Sequence, residues 1–136
     1  MINIYESKKL NGEDILSLYK SLDWTNYTKD PLRLEKAIMQ SLYVVTAFDD
    51  QHLIGLIRVV GDDESIVYIQ DILIRPDYQN QGVGTMLFDC VKKRFSHVRQ
   101  MVLMTDKNTK NSYFYRKQGL IEGSNYGLEL FVLLGD

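Results

Sequence analysis

The chain has 136 residues, 45% hydrophobic and 25% charged, which is the size and make-up of one soluble domain, here expected to span 1–136. A net charge of −2 and a pI near 5.7 argue against a nucleic-acid partner, which calls for a basic face. No apolar run approaches the ~20 residues needed to cross a bilayer, and "MINIYESKKL" lacks a signal peptide's apolar stretch, so no membrane partner and a cytoplasmic location are expected.

"INIYES" alternates and reads as a strand. "NGEDILSLYKSL" places Ile15, Leu16, Leu18, Tyr19 and Leu22 near helical spacing, and "DPLRLEKAIMQS" opens a second helix with Asp30 as N-cap and Pro31 at the first helical position. "DWTNYTK" between them reads as a loop, in which Trp24 and Tyr27 either cap the core or line a substrate pocket. "LYVVTAF", "HLIGLIRVVG" and "IVYIQDILI" follow as three strands joined by short acidic turns, an antiparallel meander in which Gly55 marks a bulge or close packing. "GVGTMLFDCVKKRF" is an amphipathic helix, "VRQMVLMT" a buried strand, "KNSYFYRKQ" a short helix ended by Gly119, and "GLELFVLL" a final strand. Strand, helix and strand from about residue 66 to 105 make a parallel crossover, so the sheet is mixed and the class α+β.

The lone cysteine, Cys90, falls on the apolar face of its helix and reads as a buried structural thiol. His52 and His97 read as surface residues, and no metal site is expected.

"QNQGVG" joins the third meander strand to the amphipathic helix. A helix amino terminus offers N–H groups without intrahelical acceptors, and glycines at 82 and 84 let an anion reach them. A phosphate is the natural ligand. A dinucleotide fingerprint would need glycine where Leu87 stands, and a P-loop would need Lys-Ser/Thr after the last glycine.

The spelling that fits is Gln/Arg-x-x-Gly-x-Gly/Ala, carried by Gln79, Gly82 and Gly84. With "DILIRPDY" before it and "YFYRKQGL" after it, the chain resembles the GNAT superfamily of acyl-CoA-dependent N-acyltransferases. The resemblance implies a centrally splayed mixed sheet of about six to seven strands flanked by about four helices. It also implies acetyl-CoA as co-substrate, with its pyrophosphate on the amides of Gln79, Asn80, Gln81, Gly82, Val83, Gly84 and Thr85. The pantetheine arm would pair with the main chain of Ile72, Leu73 and Ile74, and an N–H near Leu73 would face the thioester oxygen. Asn111 matches a cofactor-contacting position and reads equally well as an N-cap.

Tyr115 matches the family's general acid: a phenol with a pKa near 10 is protonated at neutral pH and can give its proton to the departing thiolate. The base is open between Asp71, a carboxylate inside an apolar strand that could equally be a structural hydrogen-bond partner, Asp106 at the end of the next strand, and Glu129. Trp24, Tyr27 and Tyr126 are the candidate acceptor contacts. The expected reaction moves an acetyl group from acetyl-CoA to a primary amine, of a small molecule or of a peptide or lysine, by direct transfer in a ternary complex. The alternative is a silent acyl-CoA-binding module of the same fold. The resemblance is compatible with a homodimer.

Overall fold

Short acidic turns between β-branched runs draw most of the sheet into a meander. Strands β1 (Ile2–Glu6), β2 (Tyr43–Asp49), β3 (His52–Gly61) and β4 (Ile66–Ile74) pair antiparallel in that order, and β5 (Gln100–Leu103) adds to β4 in parallel. This computed structural model describes residues 1–135, in two compact units, Met1–Met104 and Thr105–Asp136.

In the first unit helices cover both faces of the sheet. Helix α1 (Gly12–Ser21) starts where Asn11 accepts from the N–H groups of Glu13 and Asp14, and α3 (Pro31–Met39) starts where Asp30 accepts from that of Arg33. Their apolar faces put Ile15, Leu18, Tyr19, Leu34 and Ile38 against Val44, Leu53, Leu56 and Leu73 of the sheet. Each such fully buried aliphatic side chain contributes ~1.5–3 kcal/mol. The segment expected as a loop holds a four-residue helical turn, α2 (Thr25–Thr28), too short to show a period in sequence. On the opposite face α4 (Val83–Arg94) buries Val83, Leu87, Phe88 and Val91. Cys90 is half-buried rather than buried, and burial raises its thiol pKa.

Gly55 lies opposite Ile74, and a side chain there would meet Ile74 Cδ1 at 3.0 Å, the Leu73 carbonyl at 3.2 Å and Leu87 Cδ1 at 3.4 Å. Its bareness lets β3 pass close under β4 and α4, and the strand slips register beside it, between Ala47 and Phe48 of β2.

The second unit carries α5 (Thr109–Lys117), a single turn at Gly123–Tyr126, and an extended segment from Leu128. The final strand expected over "GLELFVLL" is not formed, and the described sheet has five strands rather than six or seven. The reason is physical: a strand exists only where a neighbour takes up its N–H and C=O groups, and these residues stand exposed. Among the described residues no helix is long and apolar enough to cross a membrane, and no three His, Cys, Asp or Glu side chains are grouped to hold a metal ion.

Candidate active site

Strand β4 changes partners along its length. Residues 66 to 69 pair with β3 on one side and, register for register, with Gln100–Leu103 of β5 on the other. β5 then ends. From Gln70 to Ile74 no strand among the described residues takes β4's second edge. The separation coincides with a bulge: Arg58 faces Asp71 and Val59 faces Ile69, leaving Gln70 as the extra residue.

Which amides face that edge follows from the ladder. Arg75 donates its N–H to the Ile54 carbonyl at 2.8 Å, and hydrogen-bonded and non-bonded pairs alternate along antiparallel strands. Leu73, opposite Leu56, therefore points its N–H and C=O at β3, whereas those of Ile72 and Ile74 point away from it. The N–H groups near Leu73 that face the open edge are therefore those of Ile72 and Ile74. Leu73 turns its main chain to β3 and its side chain into the core, and the available donors are its two neighbours. The Ile74 carbonyl already accepts from Gln79 Nε2 at 3.0 Å.

The same edge leads into the glycine loop. Pro76–Tyr78 makes a 3-10 turn, Asn80 and Gly82 take left-handed backbone conformations with φ of +63° and +83°, and Gly82 caps α4 without any side-chain acceptor. Nothing lies within 4 Å of where a Gly82 side chain would stand. The first intrahelical bond of α4 runs from Met86 N–H to the Gly82 carbonyl at 3.0 Å, so the amides of Val83 and Gly84 have no acceptor inside the helix. The loop is tied down on its strand side. Gln81 Nε2 donates to the Asp77 carbonyl at 3.0 Å, the Tyr78 hydroxyl to Asp49 Oδ2 at 2.6 Å, and Arg75 Nε to the Leu53 carbonyl at 2.7 Å. An unobstructed cradle of backbone donors at the positive end of a helix suits a phosphate-bearing ligand.

Just upstream, Asp71 is buried with every oxygen engaged. Its Oδ2 accepts from Arg58 Nε at 2.8 Å and the Tyr19 hydroxyl at 2.9 Å, and its Oδ1 from the Tyr27 hydroxyl at 2.7 Å. Tyr27 in turn accepts from Gln70 Nε2 at 3.1 Å, and Arg58 Nη1 reaches Ser41 Oγ at 3.4 Å. Burial, then the Asp71 charge, pushes both tyrosine hydroxyls above their ordinary range. Burial pulls on Arg58 in the opposite sense, and Asp71 more than offsets it. Trp24 stacks on Tyr27 and meets Tyr19 edge-on, at ring separations of 6.1 and 5.9 Å. Asp71 thus sits in a fully hydrogen-bonded environment, and the rings of Trp24 and Tyr27 pack at the edge of the core formed by α1 and the sheet. Arg58 and Ser41 have no part in the sequence reading, and Tyr19 figures there only as a residue of a helix face. The available signal was a second charge inside an apolar strand, Arg58, one hairpin away from Asp71.

In the second unit the N-cap of α5 is Asn108, not Asn111: the Asn108 side chain accepts from the Asn111 N–H at 2.8 Å. Asn111 instead donates from Nδ2 to Thr105 Oγ1 at 3.1 Å. Tyr115, half-buried on α5, has its hydroxyl pKa raised by burial, with a hydrogen bond to Thr105 acting the other way. Asp106, Tyr126 and Glu129 are exposed.

The model of the family described as "Acetyltransferase (GNAT) family" matches residues 12–120, across both units. An uncharacterised N-acetyltransferase, ycf52, of Gracilaria tenuistipitata var. liui is 32% identical over 130 residues, covering 89% of this chain and 69% of that protein. A GNAT-family acetyltransferase, SP0256 of Streptococcus pneumoniae TIGR4, superposes with a TM-score of 0.90 at 36% identity, covering 99% of this chain and 98% of that one. The aminoglycoside N-acetyltransferase AAC(6')-Iy, solved with CoA, shares the fold at a TM-score of 0.76 and 21% identity, over 100% of this chain and 95% of its own. With a family match over most of its length and a near-complete superposition on a GNAT structure, this chain belongs to the GNAT family and is an acetyltransferase.

Proposed function

We propose that this enzyme acetylates a primary amine, carried by a small molecule or a peptide, by direct transfer from acetyl-CoA within one ternary complex, with residues 1–136 working as one catalytic domain. The observation that carries the reading is the continuity of residues 72 to 85. A strand edge with two outward N–H groups runs directly into a glycine-capped helix terminus.

Acetyl-CoA, when bound, supplies an acetyl thioester that the acceptor amine cleaves, leaving a thiol. The amides of residues 79 to 85 hold its pyrophosphate, with Gly82 giving access and Val83 and Gly84 supplying donors that α4 leaves unused. The main chain of Ile72 and Ile74 pairs with its amide-bearing arm. One of these N–H groups, rather than that of Leu73, stabilises the negative charge that develops on the carbonyl oxygen. The Tyr115 phenol, protonated at neutral pH and with its pKa raised further by burial, is the proton source for the sulfur, and Asn111 supports the same end of the cofactor.

Asp71 is an anchor instead of a base, because both of its oxygens already accept hydrogen bonds, from Arg58, Tyr19 and Tyr27. That leaves Asp106 and Glu129 as the carboxylates able to receive the amine's proton, or delivery of the amine already neutral. Acceptor contacts fall to Tyr126 and to the rings of Trp24 and Tyr27, since the Tyr27 hydroxyl is committed to Asp71.

The test is release of free thiol from acetyl-CoA across a panel of alkylamines, amino sugars, polyamines and peptides. Amine-dependent release with at least one class, lowered on the order of tenfold in kcat by Tyr115→Phe with CoA affinity kept, is expected. Absence of amine-dependent release from every class would overturn the reading.

A further inference from the structure

Arg75 stands where the working edge of β4 passes into the glycine loop, and both its backbone and its side chain are held there. Its N–H donates to the Ile54 carbonyl at 2.8 Å, which carries the β3 ladder one residue past Ile74, and its carbonyl accepts from the Tyr78 N–H at 2.9 Å, which closes the 3-10 turn. Its guanidinium makes two more bonds: Nε donates to the Leu53 carbonyl of β3 at 2.7 Å, and Nη2 donates to Ser17 Oγ of α1 at 2.9 Å. Two donors of one planar fork are thus spent on two elements, β3 and α1, that lie outside the segment 72–85.

The neighbouring chain gives this residue its leverage. Pro76 follows, which confines Arg75 to extended backbone, φ −53° and ψ 142°. Residues 76 to 82 then carry no regular structure beyond the turn Pro76–Tyr78. A small change in the exit angle at Arg75 is therefore magnified at the amides of Val83 and Gly84, while the strip upstream stays on its ladder.

We propose, building on the reading of residues 72–85 as the strip and cradle of acetyl-CoA, that Arg75 is a positioning residue for the cofactor: by tying the exit of β4 to β3 and α1, it holds the cradle in register with the strip. The shape of the ligand makes this register matter. CoA carries an amide-bearing arm at one end and a pyrophosphate further along, so it draws on both half-sites in full only when they are aligned before it binds. A cradle free to swing has to be ordered by the cofactor, at a cost in affinity. Lysine would keep the charge but not the fixed fork that bridges two acceptors.

The test compares two probes that share the arm: CoA, and pantetheine, which has the thiol and both amides but no phosphate. Calorimetric titration of the wild type should show far tighter binding of CoA. In Arg75→Met, CoA should bind about tenfold more weakly while pantetheine stays within about twofold, because the N–H of residue 75 still holds the ladder and with it the strip. Arg75→Lys should behave like Arg75→Met. Ser17→Ala, an exposed change on a helix that removes one of the two acceptors, should weaken CoA about threefold and leave pantetheine alone. This milder variant carries the test if Arg75→Met does not fold.

Wild-type affinity for CoA in Arg75→Met would overturn the proposal. So would wild-type affinity in Arg75→Lys, which would make the charge rather than the two bonds the cause, and so would equal losses for both probes, the mark of a general loss of structure. A wild type that binds CoA and pantetheine alike would reach further, removing the phosphate cradle of the proposed function and the positioning role with it.

Discussion

The two halves of β4 share a strand and differ in what their backbones do. Residues 66 to 69 spend both edges on neighbours, β3 and β5, and their contribution is structural. Beyond the bulge at Gln70 the same strand keeps β3 and loses β5, so that Ile72 and Ile74 carry main-chain groups aimed away from the ladder. On the proposed function, the difference teaches how a small enzyme makes a binding strip without dedicating side chains to it. It ends one neighbour early and anchors the strand on the other side. The anchor is the buried pair Arg58–Asp71, placed at the first position after the bulge.

The largest expected effect comes from breaking that anchor. Asp71→Ala leaves a buried guanidinium, the buried Tyr19 hydroxyl and the half-buried Tyr27 hydroxyl without their acceptor, at a cost of ~3–5 kcal/mol, a large share of the stability of a domain this size. Chemical denaturation should show the loss, and Asp71→Asn should recover part of it. A variant as stable as wild type would show that β4 needs no anchor.

Next comes proline in the working half. Ile72→Pro removes an N–H that faces away from β3, so the ladder survives. If that N–H stabilises the oxyanion, kcat should fall ~10²–10³-fold with the fold retained. Leu73→Pro is the matched control: its N–H belongs to the β3 ladder, and this variant should lose thermal stability instead. Equal stability losses at 72 and 73, or full kcat at 72, would remove the distinction between the two edges.

Much of this was legible in the sequence, and particular residues explain the rest. Gly82 announced itself because a left-handed position at a helix start is spelled with glycine. The meander and α4 were visible as alternation and helical spacing. The phase of β4 was not: whether Ile72 or Leu73 faces the free edge depends on the bond from Arg75 to Ile54, a long-range contact with no local signature. Asp71 stood out as a charge in an apolar run, but its partners lie on α1, α2 and β3, and only register brings Arg58 opposite. At "GLELFVLL" composition promised a strand, and strands also require a neighbour, which composition cannot supply.

A smaller effect is expected at the glycine loop. A Cβ at position 82 meets no atom within 4 Å, so the main cost of Gly82→Val is the strain of a β-branched residue at φ +83°, ~1–2 kcal/mol, plus obstruction of the cradle. The KM for acetyl-CoA should rise about tenfold or more, while the KM for the amine stays within about twofold. An unchanged cofactor KM would detach the loop from the working edge of β4.

The smallest effect sharpens the comparison most directly, because it makes the same chemical change in both halves. Ile69→Val and Ile72→Val each delete one methylene and leave every main-chain group in place. Ile69 is buried against the core, so its truncation should cost ~0.5–1.5 kcal/mol in denaturation and leave kcat/KM as it was. Ile72 is only half-buried and should cost less. Its kcat/KM should also hold within about twofold, since a strip that binds through backbone is indifferent to which aliphatic side chain stands on it. A kcat/KM loss of tenfold or more at Ile72→Val would mean that the side chain, packed on the α4 face beside Ile74, positions the edge, and the division of labour along β4 would then run through its packing as well as its hydrogen bonds.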